Sequence, residues 1–194
     1  LRDWYLLFHY GTPEEILADA GFDVAGLSKG CTRFPVATVE AANVTEPIGR
    51  ALDIGCAVGR STFELSKVAD EVIGIDFSQS FVDVAEEVRS GKEPIYRRYS
   101  EMHLSEELRA QLPEGGKPEG VSFEQGDAMN LRADLGSFDL IHAANLLCRL
   151  PEPLRFLNSL SDLVKPGGTL VMATPATWME EYTPAENAPK GRTL

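Results

Sequence analysis

The sequence predicts a doubly wound, mostly parallel α/β sheet, and three observations carry that prediction. From Ala51 onward, short apolar runs alternate with stretches of helical periodicity, the pattern of strands buried on both faces and joined by crossover helices. The first run leads into a glycine-bearing turn, Gly55-Cys56-Ala57-Val58-Gly59, and a helix opens directly after it. Asp53, Asp76, Asp127 and Asn145 each fall near the carboxyl end of a strand, where right-handed crossovers place the ligand of such a sheet. A chain of 194 residues, 43% hydrophobic, suits one well-filled core and is short for two domains.

Leu1 to Tyr10 is apolar and aromatic and stops at Gly11-Thr12-Pro13. Tyr5 and His9 stand four apart and share a face if this stretch is helical, although an aromatic stripe is ordinarily packing. Thr12 reads as a helix cap, with Pro13 at the first position and Glu15 as the capping-box acid, the helix running through Ala20 to Gly21. Phe22 to Pro35 is irregular, and Val36 to Val44 is expected to be a helix packed before the first strand. Residues 1–50, which hold Tyr5, His9, Tyr10 and Arg33, are expected to cover the substrate; residues 51–194 form the ligand-binding core.

In that core the first strand is Ala51 to Ile54, with a helix over Arg60 to Ala69. The second is Glu71 to Ile75, with a helix from Gln79 to Arg89 capped by Ser78. Residues 90–120 are charged and rich in Gly and Pro, and read as an insertion carrying a short helix at Ser105 to Gln111. Strands follow at Val121 to Gln125, Phe138 to Ala143 and Thr169 to Thr174. A helix near Pro153 to Val164 and a turn at Lys165-Pro166-Gly167-Gly168 precede the last of them.

Composition narrows the function. A net charge of −12 and a pI near 4.7 argue against a nucleic-acid footprint and against anionic membranes, leaving a small-molecule or protein substrate. Cys31, Cys56 and Cys148 form no C-x-x-C and have no His at ligand spacing, so no metal is expected. There is no signal peptide and no long apolar span, and the expected compartment is the cytoplasm. The chain begins at Leu1 without a methionine and is read as an excised piece of something longer.

The glycines of the turn let backbone N–H groups approach a ligand closely. Asp76 stands 21 residues after Gly55, placed to bind both hydroxyls of a ribose. The spacing Gly55-x-x-x-Gly59 is not that of a dinucleotide fingerprint, and no Gly-Lys-Ser/Thr completes a P-loop. Asp53, two positions before Gly55, suits a ligand with a cationic head. The stretch resembles the first motif of S-adenosylmethionine methyltransferases, D/E-x-G-x-G-x-G, with Ala57 in place of the central glycine.

That resemblance implies S-adenosylmethionine as cofactor and S-adenosylhomocysteine as product. Gly55, Cys56, Ala57 and Gly59 would form the cofactor turn, with Asp53 acting on the ligand ammonium through water or backbone. Arg60 either binds the methionine carboxylate or pairs with Glu64 at i, i+4, and Ser61 would bond the same carboxylate. Phe77 lies along the adenine or packs in the core. In Gly126-Asp127-Ala128, Asp127 accepts from the adenine amino group or is a simple turn residue. Asn145 faces both the cofactor and the acceptor. Cys56 has no base beside it and reads as inert, and His142 reads as a satisfied core histidine. Neither a Ser-His-Asp triad nor a pair of catalytic carboxylates is visible. Methyl transfer from a sulfonium needs neither, since alignment supplies most of the acceleration.

A narrower resemblance rests on YLLFHYGTPEE (5–15), RALDIGCAVGRSTFELS (50–66), EVIGIDFSQSFVDVA (71–85), FEQGDA (123–128), AANLLCRLPEP (143–153) and TPATWMEEYTP (174–184). These are similar to the methyltransferase domain of the ovothiol-biosynthesis enzyme, the 4-mercaptohistidine N1-methyltransferase family, usually fused behind a sulfoxide-synthase module. The resemblance implies methyl transfer to an imidazole nitrogen of 5-thiohistidine, the last step to ovothiol A. Tyr5, His9 and Asn145 become the catalytic candidates, and Tyr10, Arg149 and Trp178 further substrate-side positions. It also implies a Rossmann-like class I fold of seven strands. The chain ends 20 residues past Thr174 in a proline-bearing stretch, so the closing hairpin is expected to be missing and the fifth strand to be a bare edge.

Overall fold

The structure, a computed structural model, describes residues 1–18, 29–101 and 104–189. The strands are β1 (Ile48–Ile54), β2 (Ala69–Asp76), β3 (Ile95–Glu101), β4 (Leu104–Arg109), β5 (Val121–Gln125), β6 (Phe138–Ala144) and β7 (Val164–Ala173). The helices are α1 (Arg2–Tyr10), α2 (Pro13–Leu17), α3 (Lys29–Thr32), α4 (Phe34–Glu40), α5 (Arg60–Leu65), α6 (Gln79–Arg89) and α7 (Pro153–Leu160). Five strands form one parallel sheet in the order β5-β2-β1-β6-β7, and β3 and β4 form a separate antiparallel pair. The order reverses between β1 and β6, which makes their carboxyl ends the topological switch point.

Alternation along the central strands sends side chains to two cores. Ala51, Val72 and Leu140 pack with Leu6, Leu7, Phe63, Val84 and Val88 from the helices and Val58 from the glycine turn on one face. Leu52, Ile73 and Ile141 pack with Phe156 and Leu160 of α7 on the other. Both faces of the central strands β1, β2 and β6 are therefore largely dry, which is why these strands read as continuous apolar runs, whereas no residue of the edge strand β7 is buried.

Several boundaries differ from expectation for identifiable reasons. The stretch 105–111, expected as a helix, is mostly β4: Arg97 and Arg98 of β3 pair with Glu107 and Glu106 across the hairpin, and cross-strand pairing overrides the helical propensity of Glu-Glu-Leu-Arg. The helix after the glycine turn stops at Leu65, because Ala69 is already paired with Ile48. The helix expected from Val36 begins at Phe34, with Pro35 in its first turn, and ends at Glu40. Lys165-Pro166-Gly167-Gly168 lies inside β7, where it shifts the register from Phe138↔Val164 to Leu140↔Thr169.

The capping box at Thr12 is present, with Thr12 Oγ1 accepting from Glu15 N at 3.2 Å and Glu15 Oε2 accepting from Thr12 N at 2.7 Å. The expected continuation of α2 to Gly21 runs outside the described residues. Ser78 stands at the start of α6 without a side-chain cap, its hydroxyl lying 3.0 Å from that of Ser80.

Candidate functional site

The site is built on the carboxyl ends of β1, β2, β5 and β6. After β1 the backbone enters the left-handed region three times, at Gly55 (φ 78°), Ala57 (φ 48°) and Gly59 (φ 86°). Gly55 N and Cys56 N both donate to Ile75 O, at 2.7 and 3.1 Å, which ties the turn to the neighbouring strand. At Gly59 a Cβ would stand 2.7 Å from the Phe123 ring and 2.9 Å from Ala85 Cβ, so the position needs glycine for space as well as conformation.

Asp76 closes β2 with its carboxylate held by two backbone donors: Ala57 N to Oδ2 at 2.8 Å and Ser78 N to Oδ1 at 2.9 Å. Burial raises its pKa, against the pull of those two N–H groups. Phe77 beside it is 74% exposed, so of its two expected roles core packing is not the one the fold uses. Across the sheet edge, Asp127 caps the turn Ala128–Asn130, taking Met129 N at 2.8 Å and Asn130 Nδ2 at 2.9 Å. Gly126 N donates to Asp76 O, and a Cβ at Gly126 would meet Ile75 at 2.8 Å. Asn145, exposed and at φ 54°, turns the chain out of β6, its N–H donating to Ala173 O at 2.7 Å.

Asp53 is placed differently from its neighbours. It is fully buried, with Oδ2 accepting from Thr62 Oγ1 at 2.7 Å and Oδ1 2.7 Å from His142 Nδ1. His142 Nε2 lies 2.9 Å from Thr38 Oγ1, so both ring nitrogens are partnered. This buried chain of polar groups braces the switch point from beneath, through α4 and α5. Nothing in the local sequence signals Thr38 or Thr62 as part of it. Ser61 and Cys56 are buried too, and burial pushes the Cys56 thiol well above its usual range. Arg60 makes the pair with Glu64, Nε to Oε1 at 2.9 Å.

The N-terminal helix is fastened to the turn. Tyr10 Oη donates to Val58 O at 2.8 Å, and Arg60 Nη1 donates to His9 O at 3.3 Å. Tyr5 packs on Phe81 of α6 with ring centroids 4.5 Å apart and stacks on His9 at 5.9 Å, so Tyr5 and His9 do share a face of α1. His9 is half-buried as a residue, but its Nδ1 is sealed from solvent and has no hydrogen-bond partner among the described residues. Burial lowers its pKa from 6.5 to about 4; the charge of Asp53 opposes the shift and that of Arg60 adds to it. Arg149 and Trp178 lie elsewhere: Arg149 stacks over Tyr182 at 4.7 Å, and Trp178 packs against the α7 core.

Two hollows flank these elements. One of about 210 Å³ is lined by His9, Tyr10, Thr12, Arg33 and Arg60 among others. A larger one of about 560 Å³ runs between the Ala128–Arg132 stretch and α7 down to Gly136 and Ser137. It follows the β5–β6 connection towards the amino end of β6, away from the turn, and Asp76 and Asn145 do not line it. No helix of the described residues is long and apolar enough to cross a membrane.

Comparison with known proteins agrees with this geometry. Residues 52–172 match the family described as "Methyltransferase domain". The ubiquinone biosynthesis O-methyltransferase of Xanthomonas campestris pv. campestris is 29% identical over 136 residues, 69% of this chain and 46% of that protein. The demethylmenaquinone methyltransferase of Lactococcus lactis subsp. lactis is 31% identical over 123 residues, 62% of this chain and 39% of that protein. The chain thus spans less than half the length of these curated relatives. The glycopeptide N-methyltransferase MtfA, solved with S-adenosylmethionine, shares the fold at a TM-score of 0.51 and 18% identity, over 71% of this chain and 53% of that one. The five-stranded sheet is the Rossmann-like sheet of class I methyltransferases, and S-adenosylmethionine is the cofactor the match implies. The match covers more than half of the sequence and takes in the glycine turn, Asp76, Asp127 and Asn145: the chain belongs to the methyltransferase-domain family.

Proposed function

We propose that this chain transfers a methyl group from S-adenosylmethionine to an imidazole nitrogen of 5-thiohistidine. The observation that carries methyl transfer is the Asp76 carboxylate, locked by Ala57 N and Ser78 N at the strand end beside the left-handed glycine turn. The residues fit the cofactor. Phe77 is a large aromatic left uncovered next to a partly buried carboxylate, which suits a purine above and a ribose diol beside it. The acceptor rests on the family-specific stretches around Gly55-Cys56-Ala57-Val58-Gly59 and Asn145–Leu150.

When bound, S-adenosylmethionine supplies an electrophilic methyl group on a sulfonium. The chain's own residues hold and align. Asp76 keeps free lone pairs for two hydroxyls while its shape is set by the backbone. Asp127 accepts from the adenine amino group, and the turn from Gly55 to Gly59 presents backbone to the amino-acid tail. His9, neutral at neutral pH because burial lowers its pKa to about 4, positions the acceptor as a hydrogen-bonding group, and the proton that the acceptor ring releases passes to solvent. Tyr5 and Asn145 orient the acceptor so that nitrogen rather than sulfur lies in line. The same resemblance makes a sulfoxide-synthase module the expected fused or docked neighbour, and a cytoplasmic location follows from the thiol chemistry.

Turnover of 5-thiohistidine against histidine tests this, with the methyl position read by NMR. An N-methyl product from 5-thiohistidine is expected. Mainly S-methyl product, or none from protein that binds S-adenosylhomocysteine, overturns the acceptor. A second reading, O-methylation of a quinone precursor, is favoured by the names of the relatives at 29–31% identity; methylation of a catechol-type acceptor in the same assay would support it.

A further inference from the structure

The geometry points to a carboxylate-binding subsite for the methyl acceptor, built on Arg33, Arg60 and His9 in the cavity between α1, α2 and α4. It rests on methyl transfer as proposed above and deepens it, because it makes the acceptor an acid. At about 210 Å³ the cavity is smaller than the pockets that enclose whole ligands. It suits an amino-acid head group and not a nucleoside.

Its lining is cationic in a chain whose net charge is −12. Arg60 is held in place by Glu64 at 2.9 Å, by His9 O at 3.3 Å and by the Tyr10 ring, 5.8 Å from its guanidinium carbon. Glu64 is shared with Lys67 at 2.6 Å, so one carboxylate faces two cations and the local balance stays positive. Arg33 is exposed, and while its carbonyl accepts from Val36 N and Ala37 N, its guanidinium makes no hydrogen bond or ion pair among the described residues. A guanidinium with nothing to bind, beside a second one already oriented, matches the fork geometry of a carboxylate.

His9 is the second, independent observation. It lines the same cavity, and its sealed Nδ1 has no hydrogen-bond partner among the described residues. Buried polar atoms are rarely left so, because the lost hydration goes uncompensated. A carboxylate entering the cavity, with a turn of the imidazole that uncovers the atom, would compensate it by accepting from His9 Nδ1–H, and the lowered pKa keeps this ring neutral until the anion arrives. Tyr10 and Arg60 belong both to the cavity and to the clamp on the glycine turn. A head group anchored there therefore lies beside the glycine turn, whose Ala57 N–H holds Asp76.

The test uses the S-adenosylhomocysteine-loaded protein. Wild type should bind 5-thiohistidine at least about tenfold more tightly than its decarboxylated amine. Arg33→Gln, an exposed position that leaves the core alone, should bring the two within about twofold without changing S-adenosylhomocysteine affinity. Millimolar acetate should shift the His9 imidazole ¹⁵N resonance in wild type and not in R33Q. A wild-type protein that binds acid and amine alike, or whose His9 ignores acetate, overturns the subsite. So does an Arg33→Gln loss of S-adenosylhomocysteine affinity with 5′-methylthioadenosine unaffected, since the cavity would then hold the cofactor's own tail. If neither thiol binds while acetate still moves His9, the acceptor named above falls and the subsite stands.

Discussion

Asp76 carries the most weight of any single side chain, because its two oxygens organise the turn before any ligand arrives. Asp76→Ala is expected to weaken S-adenosylhomocysteine binding by about 2–3 kcal/mol in calorimetry, through the loss of charge-assisted bonds to the ribose. Unchanged affinity would refute the ribose role. Gly59→Ala should cost about 1–3 kcal/mol of stability by denaturant titration, since its Cβ would meet Phe123 and Ala85 below 3.0 Å at a left-handed φ. Both residues were legible in the sequence because turn chemistry is local: glycine spacing and a strand-ending carboxylate need no tertiary information. Asp53 was legible only as a position. Its placement under the turn depends on Thr62, nine residues away, and on His142, 89 residues away.

Among the elements, α1 is the one whose role the structure reshapes. An apolar, aromatic segment before the first strand reads as a cover, and Tyr5, His9 and Tyr10 do face the turn and α6. Yet Leu6 and Leu7 of the same helix are buried in the main core. Leu6→Ala should therefore cost about 2–5 kcal/mol, measured by denaturant unfolding, whereas a helix acting purely as a lid would leave stability almost unchanged. Tyr10→Phe is the gentler probe. It removes one phenol bond to Val58 O and should cost about 1 kcal/mol, with cofactor affinity falling if the clamp shapes the turn. The hairpin of β3 and β4 shows the opposite limit of local reading. Glu106, Glu107 and Arg109 suit a helix by propensity, and only pairing with Arg97, Arg98 and Ile95 makes them a strand.

For the molecule as a whole, acid stability follows from His9. Its folded pKa of about 4 lies below the ordinary 6.5, so between those values the unfolded chain binds the extra proton. The stability linked to this group is fully present above pH 6.5 and is lost as pH falls towards 4, up to about 3 kcal/mol. His9→Gln should flatten the decline in Tm between pH 6.5 and 5. An equal slope in wild type and variant would show that His9 is not buried neutral. Asp76, whose pKa is raised by burial, contributes with the opposite sign. Glu71 and Asp139, held low by Arg50 and Lys165, add their losses at lower pH. The fold class, the glycine-bearing turn and the carboxylates at the strand ends were determined by the sequence itself, because apolar periodicity and turn residues report burial and backbone shape within a few positions. The tertiary structure alone decided that Asp53 faces His142 and Thr62 under the turn, that α1 is packed in the core and fastened to the turn, and that Arg33, Arg60 and His9 share one cavity. Those relations join residues up to 104 apart, as in His142 and Thr38, and contacts of that range arise only when separate elements pack.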